Sequence, residues 1–256
     1  MHSILDRLMG PLLTLSAVVM AGVLVHSEFF AAPDPPRRRS ATYDPDWREG
    51  LPAGTLVGNP KAGVTVLVFS DLECPYCRAF HTTLTTVLAK HPEQVNYSFA
   101  HFPLSGHRHA LEAARTVECA GRTGQFSQAI DFIFAHEDSL GLKPSRWFAE
   151  GAGVKDLEAW TACMADPVVP PSISAGLAQG EKMGLTGTPL VFLNGWRDPG
   201  TPIELEFLGA VDSLVAGKKP YAQFPASEIR SHKACAFPGA PDGTRQRRVC
   251  SSAPSL

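Results

Sequence analysis

The chain has 256 residues, of which 19% are charged and 44% hydrophobic, and its formal net charge is −2. That balance leaves no basic footprint for a nucleic-acid partner. The sequence holds no internal repeat, no phosphate-cradling glycine loop and no Gly-x-Ser-x-Gly elbow, which sets aside the nucleotide-binding and serine-hydrolase classes.

Residues 8–25 form an uncharged apolar stretch of 18 residues behind Arg7 and the α-amino group. Its length falls between a signal-peptide core and a full membrane span, and only a loose cleavage pattern follows. Residues 1–27 therefore read as a signal anchor, with a cleaved signal peptide as the alternative. Arg37, Arg38 and Arg39 then lie on the exported side, against the positive-inside tendency. Residues 28–54 contain Pro33, Pro35, Pro36, Pro45 and Pro52 and read as an extended linker. The arginine run is a solvated cluster whose one candidate partner is an anionic lipid surface.

The next signal is a strand pattern over residues 64–69, ending just before Cys74-Pro75-Tyr76-Cys77 and a helical pattern. A Cys-x-x-Cys pair at a strand-to-helix junction is the sequence form of a redox site. Cys74 falls in the N-cap region, where orphan N–H groups and the helix dipole favour an anion, so its thiolate is favoured. Pro75 falls at the first helical position, where its missing N–H costs nothing. A structural disulfide across so small a ring stabilises little. A zinc site requires a second ligand pair, and Cys119, Cys163, Cys235 and Cys250 supply no second Cys-x-x-Cys. His81 reads as a surface or partly packed helix residue. His107 and His109 would diverge on a helix, so no metal is assigned. No cofactor is expected.

A further strand is expected over residues 94–100, followed by helix-rich sequence to about residue 182. Ala110, Leu111, Ala113, Ala114, Val117 and Ala120 repeat at helical spacing, as do Phe126, Ile130, Ile133 and Phe134. Trp147, Val154, Leu157 and Trp160 extend the pattern. Gly187-Thr188-Pro189 then leads into an apolar strand over residues 190–193 and an Asn194-Gly195 turn.

With Phe69-Ser70-Asp71-Leu72-Glu73-Cys74-Pro75-Tyr76-Cys77 upstream and Thr188-Pro189 downstream, the chain resembles the DsbA-like branch of the thioredoxin superfamily. The resemblance covers roughly residues 56–217. It implies an α/β thioredoxin-like fold over residues 55–217, with a helical lobe inserted at about 105–182. It also implies that Pro189 is cis and lies against the cysteines, and that Pro75, Tyr76, Thr188 and Pro189 meet the substrate while Cys74 and Cys77 exchange disulfides. One departure stands out. Thioredoxins and many DsbA-like proteins carry a buried acid six residues before the first cysteine, and here that position is Val68. Asp71 and Glu73 read as exposed loop acids whose charge opposes the helix terminus at Cys74.

Four cysteines remain outside the redox pair, with three possible pairings. In an oxidising compartment they staple the fold; the expected pairs are Cys119 with Cys163 and Cys235 with Cys250. Buried free thiols are the alternative for the first pair. The second would shape a polar C-terminal extension over residues 218–256. The reading is an exported thiol–disulfide oxidoreductase, periplasmic or extracytoplasmic, tethered through residues 8–25 or secreted after cleavage. Its expected reaction is the introduction of disulfides into extracytoplasmic protein thiols, with a membrane redox partner, either a quinone-linked oxidase or an electron donor. A reductase or isomerase of the same fold and a redox-inert peptide-binding module are the alternatives.

Overall fold

Alternation along Val64–Ser70 builds the centre of the molecule. In this computed structural model, Val64, Val66 and Val68 point into one apolar cluster, while Leu67 and Phe69 point into another on the opposite face. A strand covered on both faces reads as a continuous apolar run, and every second side chain changes face. The structure describes Met20 and residues 41–198, 200–221, 234–236 and 247–249. The chain forms two compact units, Met1–Arg39 and Ser40–Leu256, and every element below belongs to the second.

The six-stranded sheet has the order β1-β6-β5-β3-β4-β2. Its strands are β1 (Thr42–Tyr43), β2 (Thr55–Gly58), β3 (Val64–Ser70), β4 (Val95–His101), β5 (Leu190–Leu193) and β6 (Trp196–Arg197). β3 and β4 are parallel, with helix α1 (Pro75–Lys90) crossing between them; β5 runs antiparallel to β3. Cys77, Phe80, His81, Leu84 and Val87 form the buried stripe of α1 at helical spacing. Phe80 packs edge-on against Phe207 of α7 (Glu204–Val215), with ring centroids 5.1 Å apart.

Between β4 and β5 lie helices α2 (Ala110–Gly121), α3 (Phe126–Ala135), α4 (Ser145–Gly151), α5 (Leu157–Ala165) and α6 (Pro171–Lys182). Ala113, Ala114, Val117 and Ala120 are buried, and their small side chains let α3 and α4 approach α2 closely; Leu111, by contrast, is exposed. Cys119 of α2 and Cys163 of α5 are joined, with S–S 2.00 Å and Cα–Cα 5.7 Å. Trp160 donates its indole N–H to the Thr116 carbonyl across the same interface.

The extended-linker expectation is corrected over residues 41–53. β1 pairs antiparallel with β6, and a 3-10 helix over Trp47–Ala53 buries Trp47 against the sheet. The sequence obscured this because a single buried aromatic, flanked by charges and prolines, has no periodicity. Gly195, at φ +91°, shows how tight the packing is: a Cβ there would lie 2.7 Å from the Trp47 ring.

Residues 8–25, Met20 apart, and Cys250 lie outside the described residues. Among those described, no helix is long and apolar enough to cross a membrane. Ala234–Ala236 and Arg247–Val249 pair antiparallel, with Cys235 opposite Arg248; the expected pairing of Cys235 with Cys250 falls outside the description.

Candidate active site

Cys74 is the N-cap of α1, at φ −100° and ψ 117°, and Pro75 opens the first turn. The Cys74 carbonyl accepts the N–H groups of Cys77 at 2.9 Å and Arg78 at 3.0 Å, so the loop enters the helix without a break. Its sulfur faces the Thr188 carbonyl at 3.5 Å, and the Thr188–Pro189 peptide is cis. The Gly-Thr-Pro turn and the helix start, 114 residues apart, thus meet at one sulfur. Tyr76 is 65% exposed and Pro75 is also exposed, so the central dipeptide faces solvent beside the pair.

Both cysteines are unpaired thiols here and both are buried. Cys74 is only 4% exposed, with the cis-proline loop in contact with its sulfur. Their surroundings differ sharply in electrostatics. The Cys77 thiol hydrogen-bonds to the Cys74 sulfur and, outweighing burial, helps pull its pKa down to about 5, with Thr188 and the amides of Cys77 and Tyr76 adding to the effect. Cys77 moves the other way: burial first, then the neighbouring Cys74 charge, push its thiol well up. The polar groups on the Cys77 sulfur are the Asp71 N–H at 3.4 Å and the Ser70 side chain.

Val68 lies opposite Phe99 and Val191 in register and joins the apolar cluster that contains Cys77. An aliphatic side chain therefore occupies the position of the superfamily's buried acid. Asp71 corrects the exposed-acid expectation. Its side chain is fully buried and accepts from Glu73 N at 2.7 Å, Leu104 N at 2.8 Å and His107 Nδ1 at 2.8 Å. Glu73 is half-buried, and its carboxylate accepts the His109 N–H at 2.6 Å. These bonds fasten the β4–α2 loop onto the turn before Cys74.

The lobe brings Glu137 to the other side. It forms an ion pair with Arg78 Nε at 2.9 Å, while burial raises its pKa, with the Cys74 charge contributing in the same direction against Arg78. Neither Glu137 nor the Asp71–His107 contact was legible as part of the site. His107 drew notice only as a possible metal ligand, and nothing in the spacing linked it to Asp71, 36 residues earlier. His81 is buried against Phe134 and bonds Asp131 at 2.7 Å, which makes it a packing residue between α1 and α3. Among the described residues no cluster of potential metal ligands forms.

Residues 51–208 match the family model described as Thioredoxin. Among solved structures, a thioredoxin-like oxidoreductase from Silicibacter pomeroyi DSS-3 is 26% identical with a TM-score of 0.54, covering 64% of this chain and 95% of that one. Wolbachia pipientis alpha-DsbA1, at 24% identity and a TM-score of 0.55, shares the fold over 65% of this chain and 93% of that one. In sequence, the chain is 32% identical over 154 residues to a protein of Salinispora tropica named Na(+)/H(+) antiporter NhaA 3, covering 60% of this chain and 23% of that protein. The chain thus spans about a quarter of the length of the curated relatives it matches. The Thioredoxin match takes in the central strand, the cysteine pair, the helical lobe and the cis-proline together, and the chain belongs to the thioredoxin family, with a fold shared with alpha-DsbA1.

Proposed function

We propose that this protein is an exported oxidase that passes the Cys74–Cys77 disulfide to protein thiols. The observation that carries the direction is the contrast at the pair: a Cys74 thiol with a pKa near 5 beside a buried Cys77 whose thiol is pushed up. Reduction turns Cys74 into a thiolate favoured at pH 7, so the environment stabilises the dithiol and weakens the disulfide. Two pH units above its pKa, that thiolate shifts the equilibrium roughly 100-fold toward the reduced form, or ~60 mV for a two-electron couple.

The exchange follows from this arrangement. A substrate thiolate attacks the Cys74 sulfur; a mixed disulfide forms, the Cys74–Cys77 bond breaks, and Cys77 leaves and takes up a proton. A second substrate thiolate then attacks the substrate sulfur of the mixed disulfide, and Cys74 departs as the stabilised thiolate. The substrate has lost two electrons and the enzyme has gained them. One proton remains on Cys77, and the other from the two substrate thiols goes to solvent. With Val68 in place of an acid, Ser70 and the Asp71 N–H are the polar groups on the Cys77 sulfur as it leaves. Thr188 and Pro189 line the approach to Cys74, with Tyr76 and Pro75 on the exposed side; a backbone pairing with the cis-proline loop would hold an extended substrate there.

Export is supported by the Cys119–Cys163 disulfide, since such bonds persist in oxidising compartments, and by the apolar stretch over residues 8–25. A membrane redox partner returns the pair to the disulfide. Relatives named as antiporters contain a stretch similar to this domain, which supports work beside a membrane.

The test is the reduction potential of the pair in the full chain, measured by equilibration with glutathione and resolved from the other cysteines by mass spectrometry. A value near ~−120 to −160 mV is expected of an oxidase. A value near ~−250 mV or lower makes the protein a reductase. The absence of any reversible couple leaves a peptide-binding module.

A further inference from the structure

The active site contains a charge pair that exchange at the two sulfurs does not use. Asp71 is placed by the chain itself, three residues before Cys74, and its N–H points at the Cys77 sulfur. Its carboxylate is sealed from solvent and bonded to the neutral N–H groups of Glu73 and Leu104. One more bond remains, and the β4–α2 loop fills it with His107. A carboxylate only accepts, so Nδ1 carries the proton in that 2.8 Å contact and Nε2 is the nitrogen that titrates. The imidazole is 30% exposed, so it meets solvent while its partner is sealed from it.

Two further contacts fix the loop in place: Phe102 N donates to the Ser70 carbonyl at 2.8 Å, and His109 N donates to Glu73 at 2.6 Å. An uncompensated Asp71 charge would oppose the Cys74 thiolate; an imidazolium on Asp71 makes the pair neutral and removes that opposition. We propose that His107, seated on the buried Asp71 carboxylate, is a positioning residue whose positive charge stabilises the Cys74 thiolate and so sets the oxidising strength of the pair, a charge that Pro75 and Tyr76 cannot supply. This rests on the thiol–disulfide exchange reading.

The electrostatics agree. Partial burial opposes the charged imidazole, yet the Asp71 hydrogen bond and charge, followed by Cys74 and Glu73, raise its pKa above 6.5. The groups facing it are Asp71 and Glu73 from the β3–α1 turn and Cys74 from the helix start; Arg108 and His109 adjoin it on its own loop. From the lobe, Glu137 and Asp138 face the Cys74 side, both in contact with Arg78. The effect therefore occupies a window. Below about 5 Cys74 is protonated and has no charge to stabilise. Above the raised imidazole pKa, His107 is neutral and the contribution is gone.

The test uses the full chain and two substitutions at this partly exposed site, His107→Gln and His107→Lys. Cys74 ionisation is followed by thiolate absorbance in the reduced protein, and the potential by glutathione equilibration. With His107→Gln, the Cys74 acid constant is expected to fall roughly tenfold. The glutathione equilibrium constant at pH 7 should fall by a similar factor, a shift of about 30 mV, and this difference should vanish at high pH. His107→Lys keeps the charge and should hold the wild-type value through the pH at which the imidazole would have lost its proton.

A third readout needs no substitution. Coupling is reciprocal, so the His107 imidazole must titrate at a higher pH in the dithiol than in the disulfide form, as read by NMR. Equal imidazole titration in the two forms, or a His107→Gln chain that is folded and within twofold of wild type in both constants, overturns the proposal. A wild-type chain with no glutathione couple at all overturns instead the exchange reading on which it rests.

Discussion

The protein carries two cysteine pairs in opposite states, and their surroundings account for the difference. Cys74 and Cys77 bracket the first turn of a helix, where the N-terminus favours an anion and a ring of two intervening residues constrains the unfolded chain little. Cys119 and Cys163 join two helices of the lobe across a sequence separation of 44. Each pair also has a histidine–carboxylate contact beside it: His107 with Asp71 at the first, His101 with Glu118, the neighbour of Cys119, at the second. Pairing chemistry is the same; what differs is whether the local field favours a thiolate or the chain topology favours a bond. One pair is suited to exchange and the other to holding helices together.

The sharpest way to break this contrast is to remove one sulfur at a time. Cys74→Ser should abolish disulfide exchange, because no other sulfur at the site faces the cis-proline loop. Cys77→Ser should instead accumulate the mixed disulfide with substrate, visible as an added mass on non-reducing separation. Retained exchange in the Cys74→Ser chain would show that the two pairs are not separated in role.

The reciprocal experiment falls on the lobe. Replacing Cys119 and Cys163 together by alanine should cost ~4 kcal/mol, the chain-entropy value for a loop of this length. For a domain of this size that corresponds to roughly 8–16 °C in Tm. The Cys74–Cys77 potential should stay within a few millivolts of wild type, since topology and local field act independently. A large shift in potential with little loss of stability would reverse the assignment.

Why one pair was legible and its electrostatic setting was not follows from the range of the interactions. Cys74, Pro75 and Cys77 declare themselves because helix-start chemistry is local to four residues. The central strand and the α1 stripe declare themselves through their periods. Thr188–Pro189 was placed at the sulfurs by resemblance, not by any physical signal in its own neighbours. Asp71 looked like a loop acid because nothing in residues 69–77 reveals that residues 104 and 107 return to seal it. Trp47 was hidden for the same reason: its cover comes from β5 and the Asn194-Gly195 turn, more than 140 residues away. Burial of an isolated residue by distant chain is a tertiary fact, and only repeating patterns carry it into the sequence.

A smaller effect separates the two histidine–carboxylate contacts. His101 and Glu118 are 3.1 Å apart and almost fully enclosed. Burial raises the Glu118 pKa, but the hydrogen bond and charge of His101, with Ser172 and Arg122, lower it overall. A depressed acid contributes stability that is present above its unfolded pKa near 4.5 and is lost as pH falls through the folded value. Glu118→Gln should therefore cost about 1–2 kcal/mol at neutral pH. The gap from wild type should close as the pH drops below 4.5, measured by denaturant titration. Its effect on the Cys74–Cys77 potential should be negligible, in contrast with His107→Gln.

The finest distinction lies within the redox site. Thr188 presents its carbonyl to the Cys74 sulfur at 3.5 Å, and that contact survives any side-chain change that keeps the backbone in place. Its hydroxyl is buried and makes no hydrogen bond of ordinary geometry, yet the side chain is among the groups that lower the Cys74 pKa. Thr188→Val keeps the shape and removes that donor. Losing a donor to the charged form moves the acid constant against ionisation, so the Cys74 pKa should rise from about 5 by roughly half a unit. The reduced form then loses its thiolate advantage at a correspondingly higher pH, and the potential should become ~15 mV more negative. Thiolate absorbance between pH 4 and 8 resolves a change of that size. An unchanged titration would mean that the Cys77 thiol and the amides of the α1 terminus hold the charge without the Thr188 hydroxyl, and that the Thr188 side chain serves only to fill space beside the cis-proline.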